Sequence, residues 1–250
     1  MNDSENRNEL VRIGLARLQS TQNREPRGLS GDPEADRYLK DIQNYPHIYV
    51  LACLMDKQIK AERAWLIPFE VCSHFGAFTM QELANLSAGQ IESYFLEYKP
   101  HRFNKDMARV FYEGIQRIHT VYADDASRIW SDTPSSAAVV YRFLQFAGAG
   151  IKIATMATNI LVREYHVPLR DYYSIDISPD LQVKRIFYRT GLVENTDDVN
   201  LIIYKARELY PIFPGVIDES CWEIGRTYCR PTDPNCAECP LADTCQKILD

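Results

Sequence analysis

The sequence predicts an all-α fold of about ten helices, and two observations support this prediction. Apolar residues recur every three or four positions in most segments of the 250-residue chain, which is the spacing of one helix face. No stretch of six or more residues alternates polar and apolar side chains as a half-buried strand would. The chain is 46% hydrophobic and can bury a core, and because it has no run of 18 apolar residues, we expect no membrane span.

The first 43 residues are predicted to form a polar start and one helix. The start, MNDSENRNEL, lacks the apolar core of a signal peptide, so we expect a cytoplasmic protein, associated with the nucleoid if the cell is prokaryotic. ENRNELVRIGLARLQS has the apolar spacing of a helix. The RGLSGDPEAD stretch after it predicts a loop up to about residue 35.

Residues 44–165 are predicted to be helical almost throughout. YPHIYVLACLMDKQIKAERAWLIPFEVCSHFG predicts two helices with a break near residues 55–60. TMQELANLSAGQIESYFLEY predicts a capped short helix and a second helix after Ser87, and HRFNKDMARVFYEGIQRIHTVY predicts a long amphipathic helix. SSAAVVYRFLQFAGAGIKIATMATNILVREY predicts two helices joined at glycines, with the first helix ending at Ala147.

Residues 166–250 are predicted to form a connector, three helices and a cysteine-rich end. DYYSIDISPD is the connector, and three later segments have helical spacing: LQVKRIFYRTGL, DDVNLIIYKARELY and VIDESCWEIGRTY. The chain then ends in CRPTDPNCAECPLADTC and five further residues.

The final cysteines predict a metal site. Cys229, Cys236, Cys239 and Cys245 follow the pattern C-x6-C-x2-C-x5-C, and five of the seven cysteines lie between Cys221 and Cys245. Such density in a chain without a signal peptide favours metal over disulfides, and four thiolates suit zinc or an iron–sulfur cube. Structural zinc sites usually combine two CxxC-like pairs, whereas this sequence has one. Cys221 falls outside the pattern and is predicted to be a small core residue.

The cysteine spacing and the preceding WEIGRTYC resemble the iron–sulfur loop of the endonuclease III and adenine-glycosylase branch of the helix–hairpin–helix (HhH-GPD) DNA glycosylases. The resemblance implies that these four cysteines hold a [4Fe–4S] cluster. It also implies two domains: a six-helix barrel over 44–165, and a helical domain over 166–250 whose cluster loop spans 229–245. Residues 1–43 are expected to pack on the C-terminal domain.

The glycine-rich turn FAGAGIKIA is a candidate DNA contact. Gly148 and Gly150 permit a tight turn, and the free N–H groups of the next helix suit a phosphate. The stretch resembles the family hairpin L-P-G-V-G-x-K-T-A, which implies DNA contacts at Gly148, Ala149 and Gly150. Lys152 matches the catalytic lysine of the bifunctional members. The alternatives are a plain helix–helix turn and an exposed surface lysine.

The segment ISPDLQVKRIFYRTGL resembles the family stretch V-D-T-H-V-x-R-V-x-x-R-L-G-L, which implies that Asp180 is the catalytic aspartate. Such a carboxylate stabilises the positive charge that develops when a glycosidic bond breaks. Asp176 is a rival, but only Asp180 keeps the following V-x-R and R-x-G in register. The alternative is that Asp180 merely caps the next helix. Gln182 replaces the family histidine, and the Lys152–Asp180 gap is longer than in the family.

The segment LACLMDKQIKAERAW resembles the family stretch L-L-S-x-Q-x-x-D. This implies that Gln58 is the glutamine that fills the gap left by the extruded base. The alternative is a polar residue at a helix break.

These features together predict a base-excision repair DNA N-glycosylase, with or without AP lyase activity. It would hydrolyse the N-glycosidic bond of a damaged or mispaired base flipped into the interdomain cleft. The expected partner is double-stranded DNA containing such a base, with no membrane, and the expected state is a monomer. The alternative is a non-catalytic iron–sulfur protein of the same fold that binds DNA structures, favoured by the net charge of −6 and by Gln182. A third hypothesis is a zinc-bound helical interaction protein.

Overall fold

The computed structural model describes residues 3–22, 24–194 and 196–249, with side chains from residue 9 onward. All regular structure in these residues is helical, which confirms the predicted fold class: twelve α-helices and two 3₁₀ turns. The α-helices are α1 Asp3–Thr21, α2 Pro33–Lys40, α3 Pro46–Met55, α4 Ala61–Phe75, α5 Met80–Ala84, α6 Ala88–Tyr98, α7 Asn104–Tyr122, α8 Ser136–Leu144, α9 Ile151–Arg163, α10 Leu181–Arg189, α11 Val199–Leu209 and α12 Asp218–Thr227. The 3₁₀ turns span Ala126–Ile129 and Pro214–Ile217. No helix in these ranges is long and apolar enough to cross a lipid bilayer.

Local sequence signals explain where α5 and α6 begin. Thr79 accepts a hydrogen bond from the N–H of Glu82, and the Glu82 carboxylate accepts one from the N–H of Thr79. Ser87 and Gln90 repeat this reciprocal arrangement at the start of α6. Each pair satisfies amide groups that a helix start would otherwise leave unpaired. The predicted short capped helix and the helix after Ser87 are therefore confirmed.

The helix α2 was not predicted, because the loop was expected to continue to about residue 35. The structure ends that loop at Asp32, whose carboxylate accepts hydrogen bonds from Glu34 N and Ala35 N, both at 2.9 Å. Pro33 occupies the first helical position, where a missing N–H costs no hydrogen bond. The Asp-Pro pair at the start of DPEADRYLK was thus a start signal inside a segment that otherwise resembles a turn.

The helix α3 is the centre of the larger helical group. All ten of its residues are buried, so it is apolar on every side, as expected of a core helix. It packs against α2, α4, α7 and α9. The Tyr49 hydroxyl donates to the carbonyl of Ala157 at 2.6 Å, which joins α3 to α9 in the protein interior. This contact fixes the helix that carries the glycine hairpin relative to the core.

A second group consists of α1 with the C-terminal helices. The helix α10 packs on α12, and α1 packs on α11, α12 and the Pro214–Ile217 turn. At Gly14 an added Cβ would lie 2.6 Å from the carbonyl oxygen of Val216, so glycine permits this close approach. The helix α2, which lies in the predicted 1–43 segment, instead packs on α3 and α4. The domain boundaries at 43/44 and 165/166 stay a prediction.

A buried charge network joins the end of α9 to α12 and to the loop before α2. Glu219 Oε1 lies 2.6 Å from Arg27 Nη1, and Glu219 Oε2 lies 3.0 Å from Arg163 Nε. Glu164, which is 1% exposed, pairs with Arg163 and Arg24. Burial acts to raise the pKa of Glu164, but Arg163 and Arg27 lower it below the ordinary value. The network stabilises the contact between the two helical groups.

Candidate active site and cysteine loop

The glycine hairpin connects α8 and α9 by a short exposed turn. The helix α8 ends at Leu144, three residues earlier than predicted, and Ala149 N donates to Phe146 O at 3.1 Å. Gly148 has a φ of +78°, a conformation that favours glycine, and an added Cβ would lie 3.0 Å from Val110 Cγ2. The backbone therefore turns sharply here, close against α7.

The turn presents the start of α9 to solvent. Gly150 caps α9 in an extended conformation without a side-chain hydrogen bond, so the first amides of the helix lack an internal acceptor. An added Cβ at Gly150 would meet none of the described atoms within 4 Å, and Ile151 is 42% exposed. Ala149 is partly buried beside them. An anion such as a phosphate can approach these amides without steric obstruction.

Lys152 follows this turn as the second residue of α9, and its amine contacts a carboxylate. Lys152 Nζ donates to Asp56 Oδ2 at 3.1 Å. The Lys152 side chain is 39% exposed and the Asp56 side chain is 11% exposed. Asp56 caps the C-terminus of α3, where its own N–H donates to Cys53 O at 3.2 Å. No sequence motif assigns a role to Asp56; the one available signal was an aspartate directly after an apolar helix.

Asp180 lies at the start of α10 and caps that helix. Its Oδ1 accepts hydrogen bonds from Gln182 N and Val183 N, both at 2.8 Å. Burial raises the pKa of Asp180 above the ordinary value, in spite of the opposing effects of these amides and of Lys152. The charges of Lys152 and Asp56 both act on Asp180, so the three side chains share one electrostatic environment. The cap also orients this carboxylate.

Asp218 is a third carboxylate of the cluster and was missed by the sequence analysis. It is the first residue of α12, and its Oδ1 accepts a hydrogen bond from Ser178 N at 3.3 Å. Burial, together with the charge of Asp180, raises the pKa of Asp218 to about 7. No local motif marks this position, because its burial depends on how α12 packs.

Gln58 lies in the loop between α3 and α4, two residues after Asp56. Its φ is +55°, a left-handed conformation that non-glycine residues rarely adopt, and the residue is exposed. Its carbonyl accepts a hydrogen bond from Arg102 Nη1 at 3.4 Å. The structure therefore places an exposed glutamine in the same loop as Asp56, the partner of Lys152.

Asp176, the rival of Asp180, has a structural partner. Its two carboxylate oxygens lie 2.7 and 2.8 Å from Arg207 Nε and Nη2, and the residue is 5% exposed. A buried carboxylate held at both oxygens by one guanidinium is poorly placed to meet a substrate. The environments of Asp176 and Asp180 thus differ.

The connector before Asp180 is packed rather than loose. Ser136 Oγ at the start of α8 donates to Asp171 and accepts from Ser174 N, and Ile175 and Ile177 are fully buried. Tyr172 stacks near Phe213 with ring centroids 5.1 Å apart, whereas Tyr173 is 61% exposed.

Two arginines of α10 hold the cysteine loop. Arg185 donates from Nε to Cys229 O at 2.5 Å and from Nη2 to Gly225 O at 2.7 Å. Arg189 donates to Arg230 O at 2.7 Å and to Pro231 O at 2.9 Å. The Gln182 amide oxygen accepts from Arg185 and lies against Gly225, so Gln182 contributes to the α10–α12 contact. The helix that starts at Asp180 is thereby joined to the loop.

The four candidate metal ligands face a single cavity. Cys229, Cys236, Cys239 and Cys245 line it together with apolar residues that include Ile186 and Leu241. Burial raises the pKa of Cys239 and of Cys245, and the charge of neighbouring cysteines acts in the same direction. The described residues contain no set of three or more His, Cys, Asp or Glu placed to hold a single metal ion.

The surroundings of these sulfur atoms fit an iron–sulfur cluster. Lys247 N donates to Cys245 Sγ at 3.3 Å, and Arg189 Nη1 donates to Cys229 Sγ at 3.6 Å. Hydrogen bonds to ligating sulfurs are one of the means by which proteins adjust such clusters. Thiolates gathered in an apolar cavity also need a cationic centre, because burial and mutual repulsion favour the protonated thiols. Cys221 lies apart and is fully buried, as predicted for a core residue.

Comparisons with known proteins found similarity in structure but not in sequence. No protein-family model and no curated protein matches the chain. A trapped covalent endonuclease III–DNA intermediate (an estranged-adenine complex) is similar with a TM-score of 0.60 and 16% identity, over 85% of this chain and 92% of that chain. A non-covalent endonuclease III–DNA complex gives a TM-score of 0.58, with the same identity and coverage. A thermostable thymine-DNA glycosylase gives 0.63 at 12% identity, over 98% of this chain and 97% of that chain.

These similarities establish the fold. The chain has the helix–hairpin–helix DNA glycosylase fold, which the sequence analysis predicted. At identities of 12–16% they do not by themselves define the chemistry of this chain.

Proposed function

We propose that the protein is a base-excision repair DNA N-glycosylase with AP lyase activity. One observation carries the proposal: Lys152 and the helix-capping Asp180 share one electrostatic environment beside the exposed glycine hairpin. The same fold occurs in endonuclease III, which has been trapped covalently on DNA, and in a thymine-DNA glycosylase. The proposed enzyme is a monomer in the reducing cytoplasm, where thiols remain free to bind metal.

The proposed substrate is double-stranded DNA that contains a damaged or mispaired base. The exposed turn over residues 148–150 is suited to a backbone phosphate, because its free amides and the helix dipole favour an anion. Such contacts position the protein without reading sequence. The target base must leave the stack to reach the partly buried carboxylate of Asp180, and the exposed Gln58 beside the site would fill the vacated space.

Asp180 is proposed to promote base release. As the bond between base and sugar breaks, positive charge develops on the sugar, and an ionised carboxylate held in a fixed direction stabilises it. The amides of Gln182 and Val183 hold Asp180 in such a direction. Because burial raises the pKa of Asp180, the reaction should weaken as the pH falls and this carboxyl becomes protonated.

Lys152 is proposed to attack the sugar after base release. Its amine at the start of α9 would form a carbon–nitrogen bond with C1′ of the abasic sugar, giving a Schiff base, the intermediate of a lyase. The 39% exposure of its side chain leaves the amine accessible from solvent.

The four cysteines are proposed to hold a [4Fe–4S] cluster. When bound, the cluster would supply structural stabilisation of the 229–245 loop by linking its four thiolates. Arg185 and Arg189 connect that loop to α10, the helix that Asp180 caps. An ordered loop therefore helps to hold Asp180 in position. The loop is then available to contact the DNA backbone.

The test of this proposal is a set of duplexes that carry uracil, oxidised pyrimidines, 8-oxoguanine, alkylated purines or mismatches. Base release is measured as strand cleavage with and without alkali, with a Lys152→Ala variant in parallel. Strand cleavage without alkali by the parent, but not by Lys152→Ala, supports the lyase. Strand cleavage by the parent only after alkali treatment supports a glycosylase that uses water.

The second candidate is a non-catalytic protein that binds DNA structures. The net charge of −6 and the ion pair of Lys152 with Asp56 favour it. Tight binding to the same duplexes, with no base release from any of them, would select this candidate.

A further inference from the structure

We propose that Asp56 is a further catalytic residue, the group that accepts the proton of Lys152 before the amine attacks the abasic sugar. This inference rests on the proposed lyase function. The two carboxylates then have different roles: Asp56 accepts the proton of the amine, and Asp180 stabilises positive charge on the sugar.

The geometry of Asp56 suits a proton acceptor. Its Oδ2 lies 3.1 Å from Lys152 Nζ, a hydrogen-bonding distance that requires no rearrangement before proton transfer. The residue is 8% exposed, so water competes weakly for the proton. It follows directly after α3, whose residues are all buried, and this rigid helix fixes the position of the carboxylate.

Asp180 is less suited to the same task. Its Oδ1 already accepts two backbone hydrogen bonds at 2.8 Å, and these hold that oxygen at the start of α10. In the described part of the chain, the hydrogen bond of Lys152 Nζ goes to Asp56. The charged groups near this site also include Asp218, whose pKa the charge of Asp180 raises and whose Oδ1 accepts a hydrogen bond from Ser178 N.

The proposed step balances in atoms and charge. Lys152 transfers one proton from Nζ to Asp56, which gives a neutral amine and a carboxylic acid. The amine attacks C1′ of the ring-opened abasic aldehyde, the C1′–O π bond breaks, and one N–H proton moves to the oxygen to give a carbinolamine. Asp56 then returns its proton to the carbinolamine hydroxyl, which leaves as water while the imine C=N bond forms. The products are the protonated Schiff base, one water molecule and the Asp56 carboxylate.

The test is single-turnover trapping with borohydride on a duplex that carries a preformed abasic site. We expect Asp56→Asn to slow adduct formation by about 10²-fold or more, the range for loss of a general base, with DNA affinity within about twofold of the parent. Asp56→Glu keeps a carboxylate and should trap at least about tenfold faster than Asp56→Asn.

The controls separate the possible outcomes. Glu9→Gln removes a carboxylate paired with Arg12 on α1 and should trap like the parent. Trapping by Asp56→Asn at the parent rate, or equal rates for the Asn and Glu variants, would overturn the inference. Absence of any adduct in the parent would instead reject the proposed lyase. Melting curves identify misfolded variants. If Asp56→Asn is misfolded, the folded Asp56→Glu variant is compared with Lys152→Ala. The inference is overturned if Asp56→Glu forms no more adduct than Lys152→Ala does.

Discussion

Lys152 Nζ and Asp56 Oδ2 are hydrogen-bonded at 3.1 Å, although 96 positions separate the two residues in the chain. The pair forms because α9 packs on α3, so the first turn of one helix lies beside the residue that caps the end of the other. A lysine at the start of a helix is thus held by a carboxylate at the end of another.

Replacing Asp180 with asparagine should reduce base release by about 10²-fold or more, the scale for loss of one electrostatic contact in a transition state. Asparagine also caps helices, so the fold and DNA affinity should persist. Single-turnover base release and duplex binding measure the two effects separately. Asp176→Asn is the matched control: it weakens the buried pair with Arg207 and should lower the melting temperature more than the rate. Full activity of Asp180→Asn would remove this residue from the mechanism.

Asp218 should make stability depend on pH between about 4 and 7. Its folded pKa is raised from 3.8 to about 7, so as pH rises through this window the unfolded state loses a proton that the folded state retains. Stability therefore falls with rising pH, by at most about 1.4 kcal/mol per pH unit from this one proton. Asp218→Asn removes the titration and should gain stability relative to the parent between pH 5 and pH 8. Urea unfolding of both proteins at these two pH values measures the difference, and an equal difference at both would refute the assignment.

Gly150→Glu should weaken duplex binding by about tenfold or more, because it places a negative charge at the proposed phosphate site. The affinity that remains should also depend less steeply on salt concentration. Gly89→Glu is the control, since it makes the same change on α6 at a position where an added Cβ meets none of the described atoms within 4 Å. Equal affinities for the two variants would contradict the hairpin assignment.

Anaerobically purified protein should contain about four iron atoms per chain, as a [4Fe–4S] cluster requires. Cys236→Ser removes one ligand and should lower both the iron content and the protease resistance of the 229–245 loop. Cys221→Ala alters a buried cysteine outside the loop. This variant should keep the iron content of the parent but have a lower melting temperature. Iron and zinc analysis of the parent and the two variants tests this prediction, and stoichiometric zinc without iron in the parent would refute the cluster.

The positions of the helices could largely be predicted from the sequence, because their signals are local. Capping pairs such as Thr79 with Glu82 lie three residues apart, and apolar spacing is visible within each segment. The missed helix α2 also had local signals, in Asp32 and Pro33, but they lay in a Gly/Pro/Ser-rich stretch that favoured a loop. The positive φ of Gly148 likewise agrees with the glycine turn expected between two helices.

The all-α class, the glycine hairpin and the cysteine spacing follow from the amino-acid sequence alone, since each depends on residues that are near one another in the chain. The partner of Lys152 depends instead on tertiary packing. Asp56 follows α3, Asp180 caps α10 and Asp218 begins α12, so the proximity of these carboxylates depends on how the helices pack. The same packing raises the pKa of Asp218 to about 7, because removal of water penalises a charge by an amount that no local pattern records.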